Sequence, residues 1–159
     1  MRFRTTRFGE ITVDDAKLIL LEEGILGFPD EERYVLLDHD AEGTPFKWLQ
    51  SADNPDLAFV VMDPGEIVLN YTFQIEQDVV DQLDCQSGED LIPMVVCNIP
   101  HDNPSAMTAN LRGPIVVNAA NRRGRQIILK DEAYAFDHRV FQEPATEDAA
   151  RAAADGEAG

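Results

Sequence analysis

Three histidines each stand beside an aspartate: His39 next to Asp38 and Asp40, His101 next to Asp102, and His138 next to Asp137. Imidazole and carboxylate together could ligate a metal or run acid–base chemistry. The spacing argues against both, because no His-x-x-x-His or Cys/His pair occurs and three distant loops would have to converge. Solvated loop histidines are the expectation. Paired carboxylates for general acid–base or glycosidic work can be drawn in any chain with 30 acidic residues, so their presence discriminates nothing. Gly24-x-x-Gly27 lacks the lysine and the strand-to-helix setting of a phosphate loop. Ser51 and Ser105 lack a nucleophile-elbow context. Cys85 and Cys97 show no CxxC spacing and read as a reduced cytosolic pair. Arg122, Arg123 and Arg125 could touch RNA, but three charges in a strongly anionic chain make a weak platform, and a solvated hairpin tip is expected. This inventory predicts no catalytic residue, no metal and no cofactor.

The elements that would position these residues are mostly strands. Pro114–Asn118 and Arg125–Leu129 are β-branched apolar runs around Ala119–Gly124, whose Asn121 and Gly124 tolerate the positive φ of a tight reversal. The prelude Thr108-Ala109-Asn110-Leu111 carries side chains that fix backbone geometry by local hydrogen bonds. Thr6–Val13 alternates with a slip at Gly9-Glu10, which predicts one strand with a bulge. Lys17–Leu21 reads as a short strand, although a helix after Asp14-Asp15 fits as well. Gly24–Pro29 is a turn presenting Ile25, Leu26 and Phe28. Strands follow at Arg33–Asp38, Phe46–Ser51 and Leu57–Met62, the last nearly all apolar and expected to be buried on both faces. Val68–Phe73 is a weaker strand. Ile75, Val79, Val80 and Leu83 lie on one helical stripe. Leu91–Ile99 is a strand with a possible break at Pro93, and Ala133–Phe136 a last extended piece. Many short strands with one or two short helices predict a mainly β fold, an antiparallel barrel-like single domain over 1–141. Residues 142–159 are Ala-, Glu- and Asp-rich without an aromatic, an acidic tail expected to be disordered.

The whole chain carries 30 acids against 13 bases, a formal net charge of −17. The last eighteen residues hold five acids and one arginine, a net of −4, so −13 belongs to the rest. Such a field repels nucleic acid and anionic membranes and steers a cationic partner inward, unless it serves only solubility. No segment resembles a signal peptide, and no apolar run approaches the roughly 20 residues a spanning helix needs. A cytoplasmic monomer is the expectation. Trp48 shares a strand face with Phe46 and Gln50, and is either a core aromatic or an interface anchor. Phe28, an aromatic on a turn, poses the same choice.

Several segments together resemble the bacterial flagellar assembly factor FliW family: Thr6–Ile11, Gly24–Phe28, Phe46–Ser51, Asp56–Phe59 with Asp63-Pro64, and Thr108–Leu111 through Pro114-Ile115 to Asn118. They cover roughly residues 5 to 130 in family order; Gly65-Glu66 and the tail depart from the pattern. The resemblance implies a cytoplasmic β-barrel-like protein with two alternative partners. One is flagellin, held in a chaperone-like way before export. The other is CsrA, a basic RNA-binding repressor of flagellin mRNA, captured once flagellin has left. It implies no enzyme activity. From the matched segments the expected partner-binding residues are Phe28, Trp48, Gln50, Asp63, Asn110 and Asn118. Two other classes compete: an acidic β-barrel hydrolase using paired carboxylates, and a purely structural assembly module.

Overall fold

A computed structural model of the chain describes residues 1–38, 46–100, 102–130 and 133–141, with the backbone alone at 89, 146–147 and 149–150. His39, His101 and the side chains of the expected acidic tail lie outside the described residues.

The strands are β1 (Arg2–Thr5), β2 (Gly9–Thr12), β3 (Ile19–Leu21), β4 (Arg33–Asp38), β5 (Phe46–Ser51), β6 (Ala58–Met62), β7 (Leu91–Asn98), β8 (Thr108–Ala109), β9 (Ile115–Asn118), β10 (Arg123–Gln126) and β11 (His138–Arg139). Strands β7, β6, β5, β4, β3, β10 and β9 are neighbours in that order, and β9 pairs back onto β7, which closes a seven-stranded barrel. Closure is possible because the long β7 serves two ladders. Leu91–Met94 pairs with β9, whereas Val95–Cys97 pairs with β6. Every barrel pair is antiparallel except β3 with β10, which run parallel at Leu20–Leu21 against Arg123–Gly124. The expected mainly β barrel is the architecture found.

Alternation along each strand divides the core in three. Ile19, Leu21, Tyr34, Leu49, Val61, Met94, Ile115 and Val117 fill the barrel interior. Outside β5, β6 and β7, Trp48, Val60, Met62, Val95 and Cys97 pack under Met107, Leu111, Tyr71 and Tyr134. Outside β9, Val116 and Leu91 pack under Val79 of the helix α1 (Gln77–Gln82) and Leu83, its C-cap residue. This is why β6 reads as apolar throughout: both its faces are covered.

Four expectations are corrected. Thr6–Val13 is not one bulged strand; β1 and β2 form a hairpin that reverses at Thr6–Phe8. The Thr5 hydroxyl closes the reversal by donating to the Gly9 carbonyl and accepting from the Phe8 N–H, both at 2.8 Å, and Gly9 takes φ +72°. A side chain therefore does what a Gly or Asn dipeptide does elsewhere. Val68–Phe73 forms no strand, because the Asp63 carboxylate caps a single 3-10 turn at Pro64–Glu66 and the chain leaves the sheet. Ala133–Phe136 is a turn, and the last strand comes later, at His138–Arg139. In the β9–β10 hairpin the positive φ falls on Arg122 at +62°, not on Asn121 or Gly124. Gly124 is required for another reason: a Cβ there would stand 2.8 Å from the Val116 carbonyl and from Leu21 Cδ2. Beyond α1 the described helical turns are all single 3-10 turns.

Candidate partner-binding site

Strands β3, β5, β7 and β10 end, and β4, β6 and β9 begin, at the same rim of the barrel. Across that rim lies the Gly24–Phe28 turn. Ile25 and Phe28 bond each other through both main-chain N–H groups, at 3.3 and 2.6 Å, leaving Leu26 and Gly27 at the tip. The turn depends on its glycines. Gly27 sits at φ +92° and Gly24 at +66°, and a Cβ on Gly24 would lie 2.3 Å from the Phe28 carbonyl. The Gln126 side chain then ties the tip down, its Oε1 accepting from the Leu26 N–H at 2.7 Å while its Nε2 donates to the Gly113 carbonyl at 2.9 Å.

The fold leaves apolar side chains uncovered here. Leu26 is 68% exposed, Phe136 48% and Phe28 40%. Phe28 meets Phe59 edge-on at 5.5 Å between centroids, and Phe59 in turn leans on the buried Tyr34. Burial raises the Tyr34 phenol, with the Glu31 charge adding to it, so this floor stays neutral. Beside the pair is a hollow of about 180 Å³, floored by Phe59 and Val96 and edged by Leu26, Phe136, Asn98, Thr108, Asn110 and Gln126. Arg112 lies 5.4 Å from the Phe136 ring centroid and is fixed by donating from Nε to the Leu129 carbonyl at 3.0 Å. An apolar centre with an amide and hydroxyl rim suits the capture of one or two apolar side chains of another protein. The hollow is too small and open for a buried small-molecule substrate.

The six expected residues do not form one surface. Phe28 and Asn110 both lie at the barrel mouth. There the Asn110 Oδ1 accepts from the Gly113 N–H at 2.8 Å and the Arg112 N–H at 3.2 Å, fixing the turn that presents Arg112. Trp48 lies on the outer wall, half-buried between Val60 and the N-terminal hairpin, with Phe8 edge-on at 5.9 Å and the Arg7 guanidinium 4.2 Å over its ring. Gln50 has no exposed surface, and its Nε2 donates to the carbonyls of Ser51 and Leu57 at 3.0 and 3.1 Å. Asn118, at the far end, is only 4% exposed; its Nδ2 donates to the Leu83 carbonyl at 3.0 Å and its Oδ1 accepts from the Ala120 N–H at 3.0 Å. Burial takes the side chains of Gln50 and Asn118 out of direct contact with a partner. Asp63, also at the far end, is exposed and caps its 3-10 turn. Phe59, Gln126 and Phe136, which also line the hollow, carry little local signal. The only trace of them was an aromatic inside an already apolar strand and a lone Phe in a loop.

Among the described residues nothing at the mouth resembles a reacting centre. Among the described acids, the two with clearly displaced titration, Asp38 and Asp53, go down through hydrogen bonds from Lys47 and Arg33, opposite to what a general acid requires. No group of three or more His, Cys, Asp or Glu among the described residues could hold a metal ion. His138 pairs in β11 with Ala109.

The FliW protein family model matches residues 2–140. The chain belongs to the FliW family. It is 40% identical over 143 residues to the flagellar assembly factor FliW of Thermoanaerobacter pseudethanolicus, spanning 90% of this chain and 95% of that one. It is 41% identical over the same length to the flagellar assembly factor FliW of Caldanaerobacter subterraneus, with the same coverage. A crystal structure of the flagellar assembly factor FliW superposes with a TM-score of 0.80 at 33% identity, covering 90% of this chain and 99% of that one. The FliW match stops at residue 140, just short of the acidic extension. No helix among the described residues is long and apolar enough to cross a membrane.

Proposed function

We propose that this FliW-family chain works in the cytoplasm by holding other proteins, with no bond made or broken. Its partners are flagellin before export and, once flagellin has gone, the basic repressor CsrA, whose capture frees flagellin mRNA for translation. The observation carrying this reading is the uncovered Leu26–Phe28–Phe136 patch at the barrel mouth, set in an otherwise anionic surface. Unassembled flagellin must keep apolar surface from self-association, and such a patch shields it. CsrA must be basic where it grips phosphate, so the net charge of −17 steers it inward and repels the RNA it holds.

Calorimetric titration with purified flagellin monomer and with CsrA tests both halves. Leu26→Asp and Phe28→Ala are expected to weaken flagellin binding by tenfold or more, about 1.4 kcal/mol, with circular dichroism unchanged. CsrA affinity is expected to fall as salt rises from low to physiological strength. Flagellin affinity indifferent to both substitutions would remove the mouth from the account. CsrA affinity indifferent to salt would remove the field.

A further inference from the structure

On the flank opposite Trp48 runs a groove of about 930 Å³ between residues 72–79 and 125–130. The first wall is extended over residues 72–76 before the helix begins, the second continues β10 with one side bonded toward β9, and neither carries a strand partner on its groove side among the described residues. Along the first, burial alternates: Tyr71, Phe73 and Ile75 are half-buried, whereas Thr72, Gln74 and Glu76 are exposed. That is the period of a strand, yet no ladder includes it. Thr72 is tied only to the Tyr134 hydroxyl, and no backbone hydrogen bond engages the N–H of Phe73, Gln74, Ile75 or Glu76 among the described residues.

The second wall continues β10. The Ile127 and Leu129 N–H groups donate to Pro114 and Arg112 carbonyls, so they face β9. Main-chain groups alternate in direction along a strand, so those of Ile128 and Lys130 face the other way. Nearer the hairpin that other side is taken by β3, whose Leu20 N–H donates to the Arg122 carbonyl. Past Leu21 the chain turns off to close the mouth, and the edge is abandoned. Ile128 is left half-exposed there, with no backbone bond at its N–H or C=O among the described residues. A closed barrel has otherwise removed its edges.

We propose that this groove takes an extended segment of a partner protein as an added strand. The segment pairs with the Ile128 edge, the Phe73–Glu76 edge or both, and alternates apolar with basic side chains. The basic preference follows from the charge: Glu23, Glu76 and Asp78 stand on the walls, and their neighbours Arg125 and Lys130 leave a surplus acid in a chain of net −17. Main-chain pairing supplies the hold and alternate side chains the selectivity. The groove lining shares Gln126 with the mouth, but strand addition here does not rest on the mouth.

The probe is a short capped peptide of alternating valine and lysine, added to the full chain and followed by amide hydrogen exchange in nuclear magnetic resonance. Exchange at Ile128 and across Phe73–Glu76 is expected to slow by roughly tenfold or more. Replacing lysine by glutamate, or methylating alternate peptide nitrogens, is expected to abolish the effect. Ile128→Pro, which removes a groove-facing N–H without touching the Pro114 and Arg112 bonds, is expected to do the same, while Leu26→Asp leaves it intact. Equal protection by the N-methylated peptide overturns the proposal even if the proline variant fails to fold. So does protection confined to the mouth. Concentration-dependent protection of these amides in the chain alone overturns it in favour of a second copy.

Discussion

Replacing Asn118 by alanine separates architecture from recognition at a position that the sequence offers as a contact. The side chain makes two strong hydrogen bonds at 3.0 Å, to the Leu83 carbonyl and from the Ala120 N–H, and a long one at 3.4 Å to the Asp84 carbonyl. It thereby pins the end of α1 to the β9–β10 hairpin. Asn121 Nδ2 also donates to the Leu83 carbonyl at 2.9 Å, so that acceptor is not orphaned by the change. The loss is two net hydrogen bonds plus a partly desolvated Ala120 N–H, about 2–3 kcal/mol. For a chain of this length that lowers Tm by roughly 4–10 °C. Asn118→Asp keeps the acceptor for Ala120 but turns a carboxylate oxygen on the Leu83 carbonyl, and is expected to cost at least as much. Urea denaturation followed by circular dichroism gives the stability, and titration at saturating folded protein gives partner affinity. Loss of affinity with stability changed by less than about 0.5 kcal/mol would refute the reasoning and make Asn118 a contact.

Gly124→Ala forces a methyl against the Val116 carbonyl and Leu21 and is expected to destabilise by about 1–3 kcal/mol, read by the same denaturation; a neutral effect would mean the β3–β10 pair separates freely. Burial pushes the Cys97 thiol up to about 12 from an ordinary 9.0. A raised acid favours the neutral form in the fold, so its contribution is complete below pH 9 and is lost as pH climbs toward 12. Alkaline unfolding is expected to shift upward in Cys97→Ala measured against its own neutral-pH stability, and iodoacetamide is expected to label the half-exposed Cys85 first.

How far the residues disclosed the fold depended on what satisfied each backbone. Strands β4 and β5 match the expected Arg33–Asp38 and Phe46–Ser51 to the residue, because their side chains alternate between interior and outer wall. The N-terminal hairpin was invisible since Thr5, not a Gly or Asn pair, closes its turn. The stretch after Asp63 kept strand-like composition, and its alternation survives at Tyr71–Glu76, yet composition cannot say whether a second strand is there to bond. Parallel pairing of β3 with β10 rests on residues a hundred apart and leaves no local mark. At the mouth, the place of Phe28 was legible as an aromatic on a glycine turn, one of the two placements that reading left open. Gln50 and Asn118 were misleading because an amide that locks a buried turn and an amide that greets a partner have the same local sequence.

Gln126 joins the two open places on this barrel. Its side chain bridges the Leu26 N–H and the Gly113 carbonyl, holding the mouth turn to the Asn110 turn, and its backbone opens the edge that runs on to Ile128. Truncation in Gln126→Ala removes two half-exposed hydrogen bonds, about 1 kcal/mol in all, too little to unfold a barrel closed by seven ladders. The turn should nevertheless loosen, since Leu26 then has no anchor beyond the Ile25–Phe28 pair. Faster amide exchange at Leu26, with weaker flagellin binding and unchanged protection in β4 and β5, is the expected outcome. If exchange at Leu26 does not change, the glycine-shaped turn holds itself, and the apolar patch owes its geometry to Gly24 and Gly27 alone.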